Sequence, residues 1–340
     1  MKYKLLGRSG LKVSELCLGT MGFGTEAGWG ADKDTSFAIL DAFAEAGGNF
    51  IDTANIYKLG TSEKIIGEYL HNHDRDHFVV ATKYSLKDNI TNVNASGNNR
   101  KNMMRSVEDS LKRLKTDFID LFYLHIWDDL TPIDEVLRGL DDLIKQGKVN
   151  YAGISDTPAW VVAKGNTLAE LMGWSQFVAL QVEYSLLART PERELTQMAK
   201  HFGMTVTPWA PLGGGALTGK YLRGEQGRIK PESNRRSERA ERITKVVVAI
   251  ADELGVSAGN VALKWTTQQG FSSIPIVGAT KVSQLQDNLK TVDVTLTEEH
   301  LQKLNEASAI ELGFPGDFFK EDAVKTNNFG GFYDRVEKRI

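Results

Sequence analysis

Eight short and nearly continuous apolar runs recur along the chain, separated by longer stretches with helical spacing. The runs cover residues 16–20, 49–53, 78–83, 119–125, 151–155, 177–181, 205–211 and 273–279. Continuous apolar runs are typical of strands buried on both faces, as in parallel sheets covered by helices. Eight strands alternating with helices, without a linker-like segment, predict an α/β fold. It is a (β/α)8 barrel that forms one domain over residues 1–340.

The stretches between the runs carry helical signals. Apolar residues within 133–144 recur on one helical face. We expect Asp34 and Ser62 to cap the starts of the helices that follow the first two runs. Gly47 and Gly147 stand where helices are expected to end. These signals place a helix after each buried strand, as a barrel requires.

Three segments depart from the simple repeat. Residues 2–6 and 12–14 predict an N-terminal β-hairpin. The connection between the seventh and eighth strands is long, with a Gly-rich and then Arg-rich segment at 213–236 before two predicted helices within 238–269. The tail 309–340 has no clear period. Because barrel loops carry function, the long loop and the tail are candidate covers of an active site.

Composition narrows the class of protein. The 340 residues carry 41 basic and 44 acidic side chains, a net charge of -3, so no basic excess favours nucleic acid or an anionic membrane as a partner. The single cysteine, Cys17, excludes an internal disulfide and a cysteine metal cluster. The first residues lack an apolar signal core, and the longest apolar run, Val246–Ala251, has six residues. We expect a cytoplasmic protein without a metal.

Polar residues stand at the last positions of six predicted strands. They are Asp52, Lys83, His125, Ser155, Gln181 and Trp209. The carboxyl ends of barrel strands meet on one face, where active sites are built. Stability alone gives no reason for so many strands to end in a polar residue, so this face is predicted to hold the site.

Four side chains from these segments form an acid–base set suited to a carbonyl. Tyr57 follows Asp52 in the segment NFIDTANIY and could donate a proton, but its ordinary pKa near 10 is high for that task. The ammonium of Lys83 is expected to lower the pKa of Tyr57, and Asp52 would pair with and orient Lys83. His125 can hydrogen-bond and polarise the substrate oxygen.

The chain resembles the aldo-keto reductase superfamily, and most of all the branch with bacterial aryl-alcohol dehydrogenase-like reductases and potassium-channel β-subunits. The likeness covers nearly the whole chain, in the segments LGRSGLKVSELCLGTMGFG, FIDTANIY, ATK, RSVEDSLKRLKTDFIDLFYLH, YAGIS, LQVEYSLLAR, TPWAPLGGGALTGKY and IPIVGATKVSQLQDN. It implies that Asp52, Tyr57, Lys83 and His125 are the catalytic tetrad. Hydride would pass from nicotinamide C4 to the carbonyl carbon while Tyr57 gives the proton.

The resemblance also implies a site for NADP(H), with NAD(H) left open. The nicotinamide carboxamide would lie against Ser155, Asp156 and Gln181, with Trp209 stacked on the ring; Asp156 stands where the family commonly has Asn and lacks an amide donor. The other implied cofactor residues are Gly19, Thr20, Met21, Asp52, Ala210, Pro211, Leu212, Gly214, Leu217, Lys220, Gly278, Thr280, Lys281, Gln284, Asp287 and Asn288, and Arg228 or Arg235 of the long loop could add positive charge at the adenosine phosphate.

The substrate stays open within a broad class. Phe23, Trp29, Trp127 and Trp160 are predicted to line the pocket with Tyr57, and such aromatic faces suit aryl aldehydes, dicarbonyls and sugars alike. Two alternatives remain: a cofactor-sensing regulatory subunit with slow reductase activity, and a barrel isomerase that uses the lysine and aspartate without nicotinamide. A homo-oligomer also stays open.

Overall fold

The computed structural model describes residues 1–26, 28–87 and 91–337, and all eight predicted barrel strands are present. The strands are β1 Tyr3–Leu5, β2 Lys12–Ser14, β3 Cys17–Gly19, β4 Phe50–Asp52, β5 Val79–Tyr84, β6 Ile119–Leu124, β7 Val149–Ser155, β8 Phe177–Glu183, β9 Thr205–Trp209 and β10 Ile276–Gly278. The parallel sheet has the order β10-β3-β4-β5-β6-β7-β8-β9. A parallel bridge between Val206 and Ser273 joins its two edges. The predicted barrel is confirmed.

The predicted N-terminal hairpin is also confirmed, and it covers one end of the barrel. β1 and β2 pair antiparallel. The Gly7 amide donates to Thr205 Oγ1 at 2.8 Å, and Lys4 Nζ donates to the Ser273 carbonyl at 2.9 Å. Leu6 and Val13 are fully buried. Because Thr205 begins β9 and Ser273 precedes β10, the hairpin closes the amino-terminal end and leaves the carboxyl-terminal face to the predicted site.

Gly7→Ala should weaken the packing of this hairpin against the barrel and destabilise the protein. Gly7 has a φ of +55°, and a β-carbon there would lie 2.1 Å from the Val178 carbonyl oxygen, which is backbone and cannot rotate away. We expect the free energy of unfolding to fall by about 2 kcal/mol, measured by urea denaturation. Gly10→Ala in the same turn is the control, since a β-carbon there meets nothing within 4 Å. Equal stability of the two variants would contradict the prediction.

Helices surround the barrel. They are α1 Lys33–Glu45, α2 Thr61–His71, α3 Arg100–Leu114, α4 Ile133–Lys145, α5 Ala159–Met172, α6 Leu195–His201, α7 Glu238–Leu254, α8 Ala258–Thr267, α9 Val282–Leu289 and α10 Glu298–Ser308; a further helix, α11 Asp322–Phe329, lies in the tail. Gly47 and Gly147 follow α1 and α4 with φ of 81° and 72°, as expected for residues after helix ends. Among the described helices, none alone is long and apolar enough to cross a membrane; α7 and α8 pass that test as a pair bent by 101°.

Both predicted helix caps are wrong. α1 is capped by Asp32, whose carboxylate accepts the Thr35 amide at 2.8 Å, whereas Asp34 lies in the first turn. Ser62 is the second residue of α2 and is fully buried. Its hydroxyl donates to the Thr20 carbonyl at 2.9 Å, so contacts with the barrel, not local capping, decide its role.

Alternate residues of each strand face the barrel interior. A buried apolar cluster there contains Phe50, Val79 and Leu121 together with residues of the hairpin. Counting onward in steps of two from Phe50 and Val79 reaches Asp52 and Lys83. The predicted polar residues therefore continue inward-facing rows, apolar at the amino end of the barrel and polar at the carboxyl end.

The tail after α10 is exposed or half-buried from residue 313 to residue 337. α11 packs on the short turn Phe318–Lys320, and Phe314 is 86% exposed. Arg193 donates to the Glu311 carbonyl at 3.1 Å, which holds the start of the tail against the β8–α6 connection. A role of this tail as an active-site cover stays a prediction.

Candidate active site

Lys83 is the centre of the polar cluster at the carboxyl face. It ends an inward row of β5 and is fully buried. Its Nζ lies 2.7 Å from both Asp52 Oδ2 and the Thr53 carbonyl oxygen. It also donates to the Tyr57 hydroxyl at 3.2 Å. Burial by itself lowers the pKa of Lys83, but the Asp52 charge and Tyr57 raise it, and the net direction is upward, so the amine stays an ammonium.

Tyr57 stands on a tight turn, Tyr57–Gly60, in which Lys58 and Leu59 adopt left-handed backbone with φ of 50° and 54°. This turn brings the phenol back over the rim, where its ring meets the His125 ring edge-on at 5.9 Å between centroids. Burial raises the pKa of Tyr57, and the Lys83 ammonium opposes that rise without reversing it. Lys83 thus lowers the pKa of Tyr57 as expected, but burial outweighs this effect and the net direction is upward. The phenol holds its proton and can donate it.

Asp52 binds a partner with each carboxylate oxygen. Oδ2 accepts from Lys83, and Oδ1 accepts from Gln181 Nε2 at 2.9 Å. Gln181 was expected against a nicotinamide carboxamide, yet its amide nitrogen is engaged with Asp52. The two contacts fix the carboxylate and, through it, the direction of the lysine.

His125 presents an uncharged imidazole. Its backbone amide donates to the Tyr84 carbonyl at 2.9 Å, which continues the β5–β6 pairing by one residue. Nδ1 is buried without a hydrogen-bond partner in the described part of the chain. Burial and then the nearby Lys83 charge lower the pKa of His125 to about 3. A neutral imidazole can donate one hydrogen bond to an oxygen placed beside Tyr57.

His125 should show no titration between pH 8 and about pH 4. The ordinary histidine pKa of 6.5 is lowered to about 3, so the protonated form appears only in strong acid. The measurement is the pH dependence of the imidazole proton resonances by NMR, with His125→Gln used to assign the signal. A signal that is missing from the variant and titrates near pH 6.5 would contradict the expectation.

Ser155, Asp156 and Trp209 meet at the ends of β7 and β9. Ser155 is 1% exposed, and its hydroxyl has no hydrogen-bond partner within the described residues. Asp156 Oδ1 accepts from Trp209 Nε1 at 3.1 Å. A buried hydroxyl without a partner carries an energetic cost that a polar ligand group would remove. The three residues therefore fit the carboxamide end of a nicotinamide.

A glycine turn, Gly213–Thr218, follows β9. Gly214 and Gly215 have φ of 69° and 94°, conformations that other residues rarely adopt. A β-carbon on Gly215 would lie 3.0 Å from Lys220 Nζ, so a cation stands close to the turn, where it would suit a pyrophosphate. Leu217, expected to touch the cofactor, is fully buried in the core and acts as a packing residue.

The segment beyond this turn is tied to the barrel by Arg235. Its guanidinium pairs at 2.6 Å with Oε1 of Glu183, the last residue of β8. Arg228 is exposed in the same segment. Of the residues that directly follow β9, Ala210 and Leu212 are half-buried and Pro211 is buried.

Gly19 and Gly278 pair side by side where β3 and β10 end. A β-carbon on Gly19 would lie 2.6 Å from Ile276 Cγ2, so no larger residue fits. Thr20 donates its hydroxyl to the Asp52 carbonyl at 2.9 Å and supports the β4 end from below. Met21 is 44% exposed beside it.

The residues predicted for the adenosine phosphate open and line α9. Lys281 is the residue before the helix, and the Thr280 amide donates to Gln284 Oε1 at 2.9 Å. Asp287 Oδ2 accepts from Ser257 at 2.8 Å, which ties α9 to α8. Asn288 is buried in the same helix. Thr280, Lys281 and Gln284 remain open to a ligand.

The predicted pocket aromatics divide into different environments. Phe23 is fully buried in the core of the helix layer, so its prediction as a pocket residue is wrong; an apolar loop residue was mistaken for a binding residue. Trp29 is 42% exposed with the Lys58 ammonium 3.8 Å above its ring. Trp127 is half-buried near Asp156, and Trp160 is 66% exposed. Their contact with a substrate stays a prediction.

Some residues of the site were missed in the sequence. The Thr53 carbonyl holds Lys83, and a backbone acceptor leaves no sequence signal. Glu183 could have been found, because it follows Gln181 by two on an inward row. Asn55 is buried with both amide atoms unpartnered in the described structure. Nowhere in those residues do three or more His, Cys, Asp or Glu stand placed to hold a metal ion.

Comparison with known proteins agrees with this architecture. The family model described as aldo/keto reductase family matches residues 15–309. An aryl-alcohol dehydrogenase [NADP(+)] of Phanerodontia chrysosporium is 39% identical over 96% of the chain and 91% of its own length. A norsolorinic acid reductase of Aspergillus flavus is 36% identical over 95% and 84%, and an aldo-keto reductase of Aspergillus calidoustus is 37% identical over 96% and 86%. Because the family model matches residues 15–309 and these relatives match at least 95% of the chain, the chain belongs to the aldo/keto reductase family.

Proposed function

We propose that the chain is an NADP(H)-dependent oxidoreductase that reduces aldehydes and ketones to alcohols, with Tyr57 as the proton donor. The observation that carries this proposal is the hydrogen bond of 3.2 Å between the buried Lys83 ammonium and the Tyr57 hydroxyl. The family and the names of its relatives support carbonyl chemistry with NADP. Aromatic, dicarbonyl and sugar carbonyls are the substrate classes we propose.

Each residue of the tetrad has a different role in the reaction at the carbonyl oxygen. When bound, NADPH would supply the hydride that the carbonyl carbon accepts. The neutral His125 imidazole donates a hydrogen bond to the oxygen, and Tyr57 transfers its proton to that oxygen as negative charge develops. The phenolate left on Tyr57 is stabilised by the Lys83 ammonium, which Asp52 keeps charged. Alcohol oxidation uses the same groups in reverse, with Tyr57 as the base.

Features of the carboxyl face support the cofactor part of the proposal. The unpartnered Ser155 hydroxyl suits the carboxamide, and the Lys220 amine beside the glycine turn suits the pyrophosphate. Lys281 and Arg228 are the cations that we propose for the adenosine phosphate of NADP. Because a 2′-phosphate adds about two negative charges, these cations should favour NADP over NAD.

A cofactor and carbonyl panel tests the proposal. The purified protein should consume NADPH with 4-nitrobenzaldehyde, followed by NADPH absorbance, and NADH in parallel should be a poorer reductant. The variant Lys281→Met should narrow the difference between the two cofactors, whereas Lys200→Met on the exposed face of α6 serves as a charge-matched control. Failure to bind either cofactor would refute the proposal. Tight NADP retention with negligible turnover on every carbonyl would favour the regulatory alternative.

A further inference from the structure

We infer that Asp156 makes the site bind the oxidised nicotinamide cofactor in preference to the reduced one. The inference rests on the proposed function and adds to it a discrimination between the two redox forms. The discriminating element is a fixed negative charge at the carboxyl ends of the strands. Asp156 accepts a hydrogen bond from Trp209, its charge raises the pKa of Tyr57, and it belongs to none of the ion pairs found among the described residues.

Asp156 is held in one position by its neighbours. Its amide donates to the Gln181 carbonyl at 3.2 Å, and its own carbonyl accepts from the Trp127 amide at 3.4 Å. Its backbone is left-handed, with a φ of 41°. The Trp209 indole donates to Oδ1 at 3.1 Å, which fixes the side chain as well. The indole contact thus holds the carboxylate at the rim, next to Trp209.

The charges around Asp156 do not cancel. Lys83 pairs with Asp52, and Arg235 pairs with Glu183, so each of these pairs is neutral. His125 is uncharged because burial and Lys83 lower its pKa to about 3. No ion pair in the described part of the chain includes Asp156. The ionised carboxylate thus leaves this group of residues with one excess negative charge.

A cofactor ring that reacts at this site must lie within reach of that charge. The carbonyl oxygen has to accept a proton from Tyr57, so the carbonyl lies beside that tyrosine. The nicotinamide C4 that donates hydride has to stand about 3–3.5 Å from the carbonyl carbon, so the ring lies beside Tyr57 as well. Burial raises the pKa of Asp156 and the Lys83 charge opposes that rise, while the Asp156 charge in turn raises the pKa of Tyr57. The oxidised nicotinamide ring is a cation and the reduced ring is neutral. A fixed anion near the ring stabilises the cationic oxidised form and not the neutral reduced form. We expect this to change the ratio of the affinities for NADP+ and NADPH about tenfold.

Asp156→Asn removes the charge and keeps the shape. The amide oxygen can still accept from Trp209, and Asn tolerates left-handed backbone as well as Asp does. Dissociation constants for NADP+ and NADPH would be measured at pH 8 by fluorescence titration. We expect the preference of the wild type for NADP+ over NADPH to fall about tenfold in the variant. Asp129→Asn is the matched control, because Asp129 is also left-handed, at φ 58°, but exposed to screening by solvent.

Further variants separate charge from hydrogen bonding. Asp156→Ser should lower the preference as Asp156→Asn does, and Asp156→Glu, which retains the charge, should keep most of it; circular dichroism verifies that each variant is folded. If the ratio of the dissociation constants for NADP+ and NADPH is unchanged in both neutral variants, the inference is overturned. A shift in Asp156→Asn alone would also overturn it, because the effect would then come from the new amide group. A wild type that binds neither nucleotide would instead refute the proposed function and the inference together.

Discussion

Tyr57→Phe should lower kcat for carbonyl reduction by about 10³-fold while the dissociation constant for NADPH changes less than about twofold. The variant keeps the ring, its edge contact with His125 and the turn that carries it, and loses only the proton. No other described group can replace that proton readily. Lys83 is fully buried behind the phenol, and His125 has a neutral imidazole that is a weak acid.

Tyr3→Phe is the control for this experiment. Tyr3 lies in the hairpin at the opposite end of the barrel and donates its hydroxyl to the Gly47 carbonyl, so its loss should leave turnover unchanged. Single-turnover kinetics with preloaded NADPH separate the chemical step from cofactor binding. Wild-type turnover by Tyr57→Phe would show that the proton comes from elsewhere, and lost NADPH affinity would show that Tyr57 serves binding instead.

The barrel and the gathering of its polar residues were predictable from the sequence for the same reason. Strands buried on both faces need continuous apolar runs, and eight such runs alternating with helices leave few arrangements open. Once the strands are parallel, every strand end falls on one rim. Asp52, Lys83 and His125 could therefore be placed together although they are far apart along the chain, and the structure brings them there.

Properties that depend on the surroundings of a side chain were not predictable. The sequence shows that Lys83 accompanies Tyr57, but the pKa of Tyr57 is decided first by burial, which raises it. Ser62 has the sequence position of a helix cap, yet its hydroxyl donates to the buried Thr20 carbonyl instead. Gln181 binds Asp52 across the barrel, a pairing 129 residues apart that no local pattern carries. Packing and desolvation decided each of these cases.

Lys83→Met should abolish turnover and also lower the free energy of unfolding by about 3–5 kcal/mol. The substitution leaves the Asp52 carboxylate buried at 3% exposure without its cation, and an uncompensated buried charge is strongly destabilising. Gln181 still donates one hydrogen bond to Asp52, but a neutral amide does not replace an ammonium. Urea denaturation gives the loss of stability, and NADPH consumption gives the loss of activity.

The double variant Asp52→Asn/Lys83→Met distinguishes the stability of the ion pair from its role in the reaction. Removing both charges eliminates the stranded carboxylate, and the new amide oxygen can still accept from Gln181, so most of the lost stability should return. Activity should not return, because a phenolate on Tyr57 would still lack a cation beside it. If the double variant is as unstable as Lys83→Met, the packing of the Lys83 side chain, and not its charge, accounts for the lost free energy of unfolding. If it is as active as the wild type, the ammonium has no part in the proton transfer.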